Sequence, residues 1–389
     1  MTQEQQFVLD ALRTAFRLNA GGMSAWKNAS LDLNEAERII VKNGILPTVY
    51  PVLESFPELQ SKLLGRYYTA AAQIIKQNYE GNRILHAMND AGFDCIALKG
   101  WELRKLYPEG VFRQMADIDI LVRDYRYRQI EKLMAGLGFS AEGKTILMHD
   151  KFYKGSITAE MHKRLTDDSA EIKKWEKAMW ENVVPTDMGE HVFRMKDEDF
   201  YIFHIVHMHK DLLDGCLGLR RIVDTWLIQR AFPNLDRTYL DRSLGAMGLT
   251  LFEERMVALG KAVMGETQVD ANSAILLASV FRYGIYGSAE THRLSHAVIA
   301  SGDSVGKASI RAMIRIVFMP YPLMKAHFPV LEKIPILLPW YWMVRIFDKL
   351  KGDRNAIRGR LRKLDFRGLN EADYEEMKRF LEAGGCCDL

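Results

Sequence analysis

The chain opens on a helical rhythm. Phe7, Leu9, Leu12, Phe16 and Leu18 recur at about the 3.6-residue spacing that lines one face of a helix. Asn34 precedes Glu37 at the interval of a capping box and predicts a helix start in which Asn34 caps and Glu37 reaches back. Pro47 and Pro51 predict a break. A longer amphipathic pattern then runs from Pro57 to Ala91 and stops at Gly92, a residue suited to a helix C-terminus. From Phe93 the rhythm changes. Phe93–Leu98 (FDCIAL) and Ile118–Val122 (IDILV) are apolar runs of strand length. Between them, Trp101–Tyr107 reads as one or two helical turns stopped by Pro108. Tyr125–Leu137 is helical again, with Asp124 as its expected cap and Gly138 near its end. Phe152–His162 reads as a hairpin: FYK, a Gly155-Ser156 turn, then ITAEMH. From about Asp197 helical periods return, and the last helix starts at Asn370 and ends before Gly384-Gly385.

Strand, turn, strand, helix and hairpin within about 70 residues make a small α+β unit with a mixed sheet. The expected organisation is an N-terminal helical region over 1–92, a sheet domain over 93–195 and a C-terminal helical domain over 196–389, with no internal repeat. Composition narrows the class: 26% charged and 48% apolar residues are enough for a core, so general disorder is excluded. Lys plus Arg is 53 against 50 Asp plus Glu, and a net charge of +3 gives no electrostatic case for a dedicated nucleic-acid binder. Cys95, Cys216, Cys386 and Cys387 include no CxxC pair and too few thiols for a disulfide framework. The start MTQEQQFVLDALRTAF has no basic residues followed by an apolar run, so no secretory signal is expected. No apolar stretch reaches the roughly 18–20 residues that span a bilayer. The nearest, Ile334–Phe347, carries Pro339 and Arg345. A soluble, cytoplasmic protein is the expectation. With Trp340, Tyr341 and Trp342 between Lys333 and Lys349, that same stretch predicts a buried terminal helix, the alternative being contact with a membrane surface or a partner.

Candidate chemistry concentrates in the sheet domain. Asp117 and Asp119 stand at i and i+2 around a strand start, so period-two geometry puts both on one face. Two carboxylates that close repel unless a cation lies between them. Oxygen-only ligation suits Mg²⁺ or Mn²⁺. Glu160 and His162 form a second such pair, and if their strand neighbours the first, Glu160 joins the aspartates. Three carboxylates can then hold two metal ions for an in-line phosphoryl displacement. An Asp-x-Asp at a strand edge is by itself commonplace, often a turn or a cap. Here Ile118 and Ile120–Val122 make the aspartates lead an apolar strand rather than a loop. Lys99-Gly100 follows the first strand, where glycine permits close backbone approach to a phosphate and lysine offers a point charge; an ordinary solvated turn is the blander reading. Arg113 either pairs with Asp117 or faces a phosphate. Farther on, His204 and His207 share a helical face while His209 points elsewhere, and the spacing does not suit zinc. His149 reads as part of a surface turn, the alternative being that it faces the cleft beside the hairpin.

Taken together, LKGWELRKLYP, RQMADIDILV and ITAEMH resemble the uncharacterised nucleotidyltransferase family of the DNA polymerase beta-like superfamily. Leu98-Lys99-Gly100, Arg113 with Asp117–Val122, and Glu160-Met161-His162 match its three motifs in order, over about Phe93–Leu165. NGILPTVYPVL extends a weaker similarity into the N-terminal helices. The 41 residues from Asp119 to Glu160 leave room for one helix and a hairpin, as the superfamily's palm requires. One departure stands out: the superfamily's Gly-Gly or Gly-Ser turn is here Lys99-Gly100, a difference shared with the resembled family. The resemblance implies a small mixed-sheet nucleotidyltransferase palm flanked by helical regions. It implies transfer of a nucleoside monophosphate from a nucleoside triphosphate to a hydroxyl acceptor, with release of pyrophosphate. Asp117, Asp119 and Glu160 would hold Mg²⁺ or Mn²⁺, and Glu160 would orient or deprotonate the acceptor. Lys99, Gly100, Arg113 and His162 would contact the nucleotide, with His207, Lys210 and Asp224 on one wall of the cleft. A small-molecule or protein acceptor suits the charge balance better than a polynucleotide. Two other classes compete: a nucleotide-sugar glycosyltransferase with an Asp-x-Asp metal site, and a non-catalytic scaffold on the same fold. The helical reading of residues 1–90 counts against the glycosyltransferase, which places a βαβ region before that motif.

Overall fold

Four helices lead into the sheet: α1 (Gln3–Ala15), α2 (Leu33–Lys42), α3 (Leu46–Val49) and α4 (Pro57–Asp90). They belong to a computed structural model that describes all residues but 20, 109, 146–147, 166–168, 301–304, 329, 350–368 and 387–389. After α4 come β1 (Cys95–Ala97), α5 (Gly100–Leu103), β2 (Ile118–Val122), α6 (Tyr127–Gly136), β3 (Ser140–Ala141), β4 (His149–Lys154) and β5 (Ile157–His162). Then follow α7 (Ala170–Glu181), β6 (Val184–Thr186) and β7 (Gly189–Arg194). The strands form one mixed sheet in the order β3-β4-β5-β2-β1-β7-β6. β2 runs antiparallel to β1 and parallel to β5. The architecture is α+β, and no strand precedes β1 among the described residues.

Alternation decides which side chains face which layer. Ile118, Ile120 and Val122 of β2 and Ile157, Ala159 and Met161 of β5 enter a core with Ile84 and Met88 of α4 and Met134 of α6. The other face sends Ile96, Leu98 and Leu121 into a larger core. That core joins the N-terminal helices (Phe7, Leu12) to α8 (Asp197–Leu213), α9 (Leu219–Ala231) and the C-terminal helix Glu371–Ala383. Each fully buried Ile, Leu or Phe here stabilises the fold by roughly 1.5–3 kcal/mol. Period two therefore turns Asp119 of β2 and Glu160 of β5 to the face opposite Ile118, Ile120, Ala159 and Met161.

Between α9 and the last helix run α10 (Arg237–Ala246), α11 (Thr250–Val263), α12 (Ala271–Tyr283), α13 (Ala289–Ala300), α14 (Val305–Val317), α15 (Tyr321–His327), α16 (Val330–Lys333) and α17 (Leu338–Lys349). Among the described residues no helix is long and apolar enough to cross a membrane.

Several local expectations are corrected. Asp32, not Asn34, caps α2, accepting from the Asn34 and Glu35 amides at 2.9 and 3.2 Å, while Asn34 takes Lys62 instead. Pro47 and Pro51 begin short helical turns rather than breaking the chain, because a first-turn residue needs no amide hydrogen. Asp124 does not cap α6: it sits in a left-handed turn at φ 49° and the helix starts three residues later. The hairpin's first strand begins at His149, not Phe152. β6 and β7 have no sequence signature, since VPT and GEHVFR carry too few apolar residues to alternate. The aromatic stretch is neither terminal nor buried: Trp340 is 66% and Ile336 85% exposed. Gly92 and Asn370 are where the pattern puts them, Gly92 at φ 70° and Asn370 accepting from the Asp373 amide.

Candidate active site

The β2–β5 pairing brings the carboxylates together. Asp119 lies directly across from Glu160 in the parallel register, and Asp117 precedes β2 on the same face. Asp117, Asp119 and Glu160 each offer an oxygen within 4.8 Å of the others. Asp119 is 4% and Glu160 5% exposed, so neither charge is answered by bulk water. Lysine and imidazole groups of the protein answer them instead. Lys99 Nζ donates to Asp119 Oδ1 at 2.7 Å, and His162 Nε2 reaches the same oxygen at 2.8 Å. Lys151 Nζ lies 2.7 Å from Glu160 Oε1, and His149 Nε2 lies 3.4 Å from Glu160 Oε2.

Lys99 is delivered by an unusual backbone. It follows β1 at φ 47° and ψ −116°, a sparsely populated positive-φ conformation that costs a side-chain-bearing residue roughly 1–3 kcal/mol. The Leu98 amide donates to the Asp119 carbonyl at 2.9 Å, and the Leu103 amide to the Lys99 carbonyl at 3.1 Å, so the turn is pinned on both sides. Gly100 serves packing: a Cβ there would stand 2.7 Å from Arg113 Nη1 and Met115 Cγ. Close packing against this buried arginine is thus one reason for glycine at this position.

The protonation pattern follows from burial and neighbours. Burial and then the Asp119 charge push the Asp117 carboxyl up to about 7. For Asp119 burial works upward, but Lys99 and His162 outweigh it and hold the carboxyl well below the usual range. Glu160 is likewise opposed by burial yet drawn down to about 2 by His162 and His149. The site thus keeps two carboxylates charged and leaves the third short of a cation. That shortage, with an all-oxygen donor set, fits a divalent ion such as Mg²⁺ or Mn²⁺. The Nδ1 atoms of His149 and His162 are buried without a hydrogen-bond partner among the described residues, while the Asp119 carboxylate can only accept and so puts a proton on His162 Nε2.

α8 and α9 form the wall opposite. His207 Nδ1 lies 3.4 Å from Asp211 Oδ2, and Arg221 Nη2 lies 2.9 Å from the same oxygen. Burial, opposed by Asp211 and aided by the positive charge of Lys99, lowers His207 to about 4, so the imidazole is neutral at pH 7. Lys99 also bears on Asp211, which ties this wall to the carboxylate cluster. Lys210 follows His207 by one turn and forms no ion pair among the described residues. His204 turns inward to Thr225 Oγ1 at 2.8 Å, and His209 packs on Phe252.

Two expected nucleotide contacts lie elsewhere. Arg113 reaches neither Asp117 nor open space: its Nε and Nη2 donate to Asp224 Oδ1 and Oδ2 at 2.8 and 2.7 Å. Tyr107 donates to Asp224 Oδ1 at 3.0 Å. Arg113 is 4% and Asp224 0% exposed, so the pair locks α9 onto the segment before β2 instead of meeting a ligand. Conversely, Lys151 joins the site although no motif singled it out, and His149 takes the cleft-facing alternative. The two-residue turn sets Lys154 opposite Ile157, and counting back residue by residue along both strands places Lys151 against Glu160 and His149 against His162. The signal was in the hairpin register.

A family model described as uncharacterised nucleotidyltransferase matches residues 29–265. No curated protein and no solved structure matches the chain.

Proposed function

The chain belongs to the uncharacterised nucleotidyltransferase family, and we propose that its sheet carries a metal-dependent centre transferring a nucleoside monophosphate from a nucleoside triphosphate to an acceptor hydroxyl. The observation that supports this reading is the convergence of Asp117, Asp119 and Glu160 within 4.8 Å on one sheet face. Those three would hold Mg²⁺ or Mn²⁺, which when bound stabilises charge on the transferred phosphoryl group and the leaving oxygen.

The chain's own residues do the rest. The acceptor oxygen bonds to the α-phosphorus as the bond from that phosphorus to the β-phosphate bridge breaks, and pyrophosphate departs with the electron pair. Glu160, ionised throughout the neutral range, receives the hydroxyl proton. Lys99 and Lys151 lie along the carboxylates and give the triphosphate oxygens point-charge partners. His162 orients Asp119 through its shared Oδ1. His207 and Lys210 face the nucleotide from α8, with Arg221 behind them. Arg113 and Asp224 act as positioning residues. A small molecule or a protein is the acceptor this charge balance favours, and the cytoplasm is the compartment. The glycosyltransferase alternative loses support from four helices where its βαβ region belongs.

Two assays test the reading. Calorimetry with Mg²⁺ and a non-hydrolysable triphosphate should show metal-dependent binding; none would leave a non-catalytic scaffold. With labelled triphosphates and candidate acceptors, pyrophosphate release should disappear in Asp119→Asn, and unchanged turnover in that variant would remove the mechanism.

A further inference from the structure

We propose that α14 and α17 form a docking surface for an anionic lipid bilayer, on which the chain lies peripherally. Among the described residues, nine of the nineteen exposed large apolar side chains fall within residues 310–347. They follow helical spacing. Ile310, Met313 and Ile314 mark one stripe on α14, at 56%, 42% and 48% exposure. Trp340, Met343 and Phe347 mark another on α17, at 66%, 47% and 61%. Single exposed apolar residues need no explanation, but two helical stripes do.

These side chains are not spent on local folding. The segment has its own small core of Met324, Phe328 and Leu331, against which Tyr341 and Trp342 pack from the inner side of α17. Trp342 Nε1 donates to the Met319 carbonyl at 2.9 Å, and Arg345 reaches the Val317 carbonyl at 3.4 Å, so α17 is tied to the end of α14. The outward stripes stand apart from that framework.

Charge selects the occupant. Residues 305–349 contain seven Lys and Arg against two Asp and Glu, a net of +5 in a chain whose total is +3, so the remainder carries −2. A basic segment bearing exposed Trp, Phe and Ile matches an interface in which apolar side chains enter the acyl boundary and cations meet lipid phosphates. Five of the eleven prolines fall between 320 and 339, and no described helix is long and apolar enough to cross, so the segment lies on the bilayer rather than through it. A polynucleotide would use the charge but leave the aliphatic stripes in water. This inference stands apart from the carboxylate site.

The test is co-sedimentation of the full chain with phosphatidylcholine vesicles, with and without about one-third phosphatidylglycerol. Binding should be on the order of tenfold or more stronger to the anionic vesicles and weaken as salt rises. Trp340→Ser with Phe347→Ser, and separately Ile310→Ser with Ile314→Ser, should each reduce it severalfold without altering far-ultraviolet circular dichroism. All four positions are exposed, so the folded core is untouched. Equal avoidance of both vesicle types, or binding unchanged in both variants, would overturn the proposal. So would retention on single-stranded RNA without vesicle binding, or a dimer that buries the stripes and ignores lipid.

Discussion

Replacing Asp224 by Ala should unfold the protein more than any exchange at the surface of the site. The carboxylate is fully buried and takes both oxygens into bonds with Arg113, itself 4% exposed, plus one from Tyr107. The substitution leaves a guanidinium and a phenol facing an apolar void. Breaking one side of a buried pair costs about 3–5 kcal/mol, a large part of a typical stability of roughly 5–15 kcal/mol. The cost is the orphaned charge, not the pair's net worth. Arg113→Met with Asp224→Leu together should therefore recover most of the loss, since both partners leave and similar volume returns. The assay is urea unfolding of the wild type, both single variants and the double, read as a double-mutant cycle. A loss below about 1 kcal/mol in Asp224→Ala would refute the reasoning, because it would mean water reaches the arginine. So would a double variant as unstable as the sum of the singles.

Three other outcomes follow from the geometry. Gly100→Ala should lower the melting temperature, since its Cβ meets Arg113 and Met115 at 2.7 Å; overpacking of this kind costs about 1–3 kcal/mol, measurable by calorimetry. Mg²⁺ affinity should fall as pH drops through about 7, because Asp117 must lose its proton to bind; titration between pH 8 and 6 should show up to about tenfold per unit, and a flat profile would argue against Asp117 as a ligand. His204 is depressed from 6.5 to about 3 by burial, first, with Arg221 and Arg113 adding to it. Its stabilising contribution is thus complete above pH 6.5 and is lost progressively as pH falls toward 3, on the order of 1–2 kcal/mol by pH 5. Denaturation at pH 7 and 5 should show less acid loss in a folded His204→Gln than in wild type.

Much of the site was legible because it rests on period two. Isoleucines at 118 and 120 must be buried, so Asp117 and Asp119 go to the other face, and ITAEMH obeys the same rule for Glu160 and His162. What sequence cannot supply is which strands neighbour one another; that depended on the resemblance. Arg113 was misread for a related reason. Its partner Asp224 lies 111 residues away, and no local pattern announces a long-range buried pair. Gly100 likewise meets its constraint through space, not through its own turn. Lys151 was recoverable from the hairpin register, had the strand been carried back past Phe152. The aromatic segment misled because apolar content predicts burial only where a partner layer exists, and α17 has one on a single side.

The central claim is that three carboxylates on one sheet face share a divalent cation. Mn²⁺ binding followed by electron paramagnetic resonance measures this directly, without knowledge of acceptor or base. Wild type should remove free-ion signal at a defined stoichiometry, and Asp117→Asn, Asp119→Asn and Glu160→Gln should each weaken binding by more than about tenfold while remaining folded. Undiminished Mn²⁺ uptake in all three variants would contradict the account.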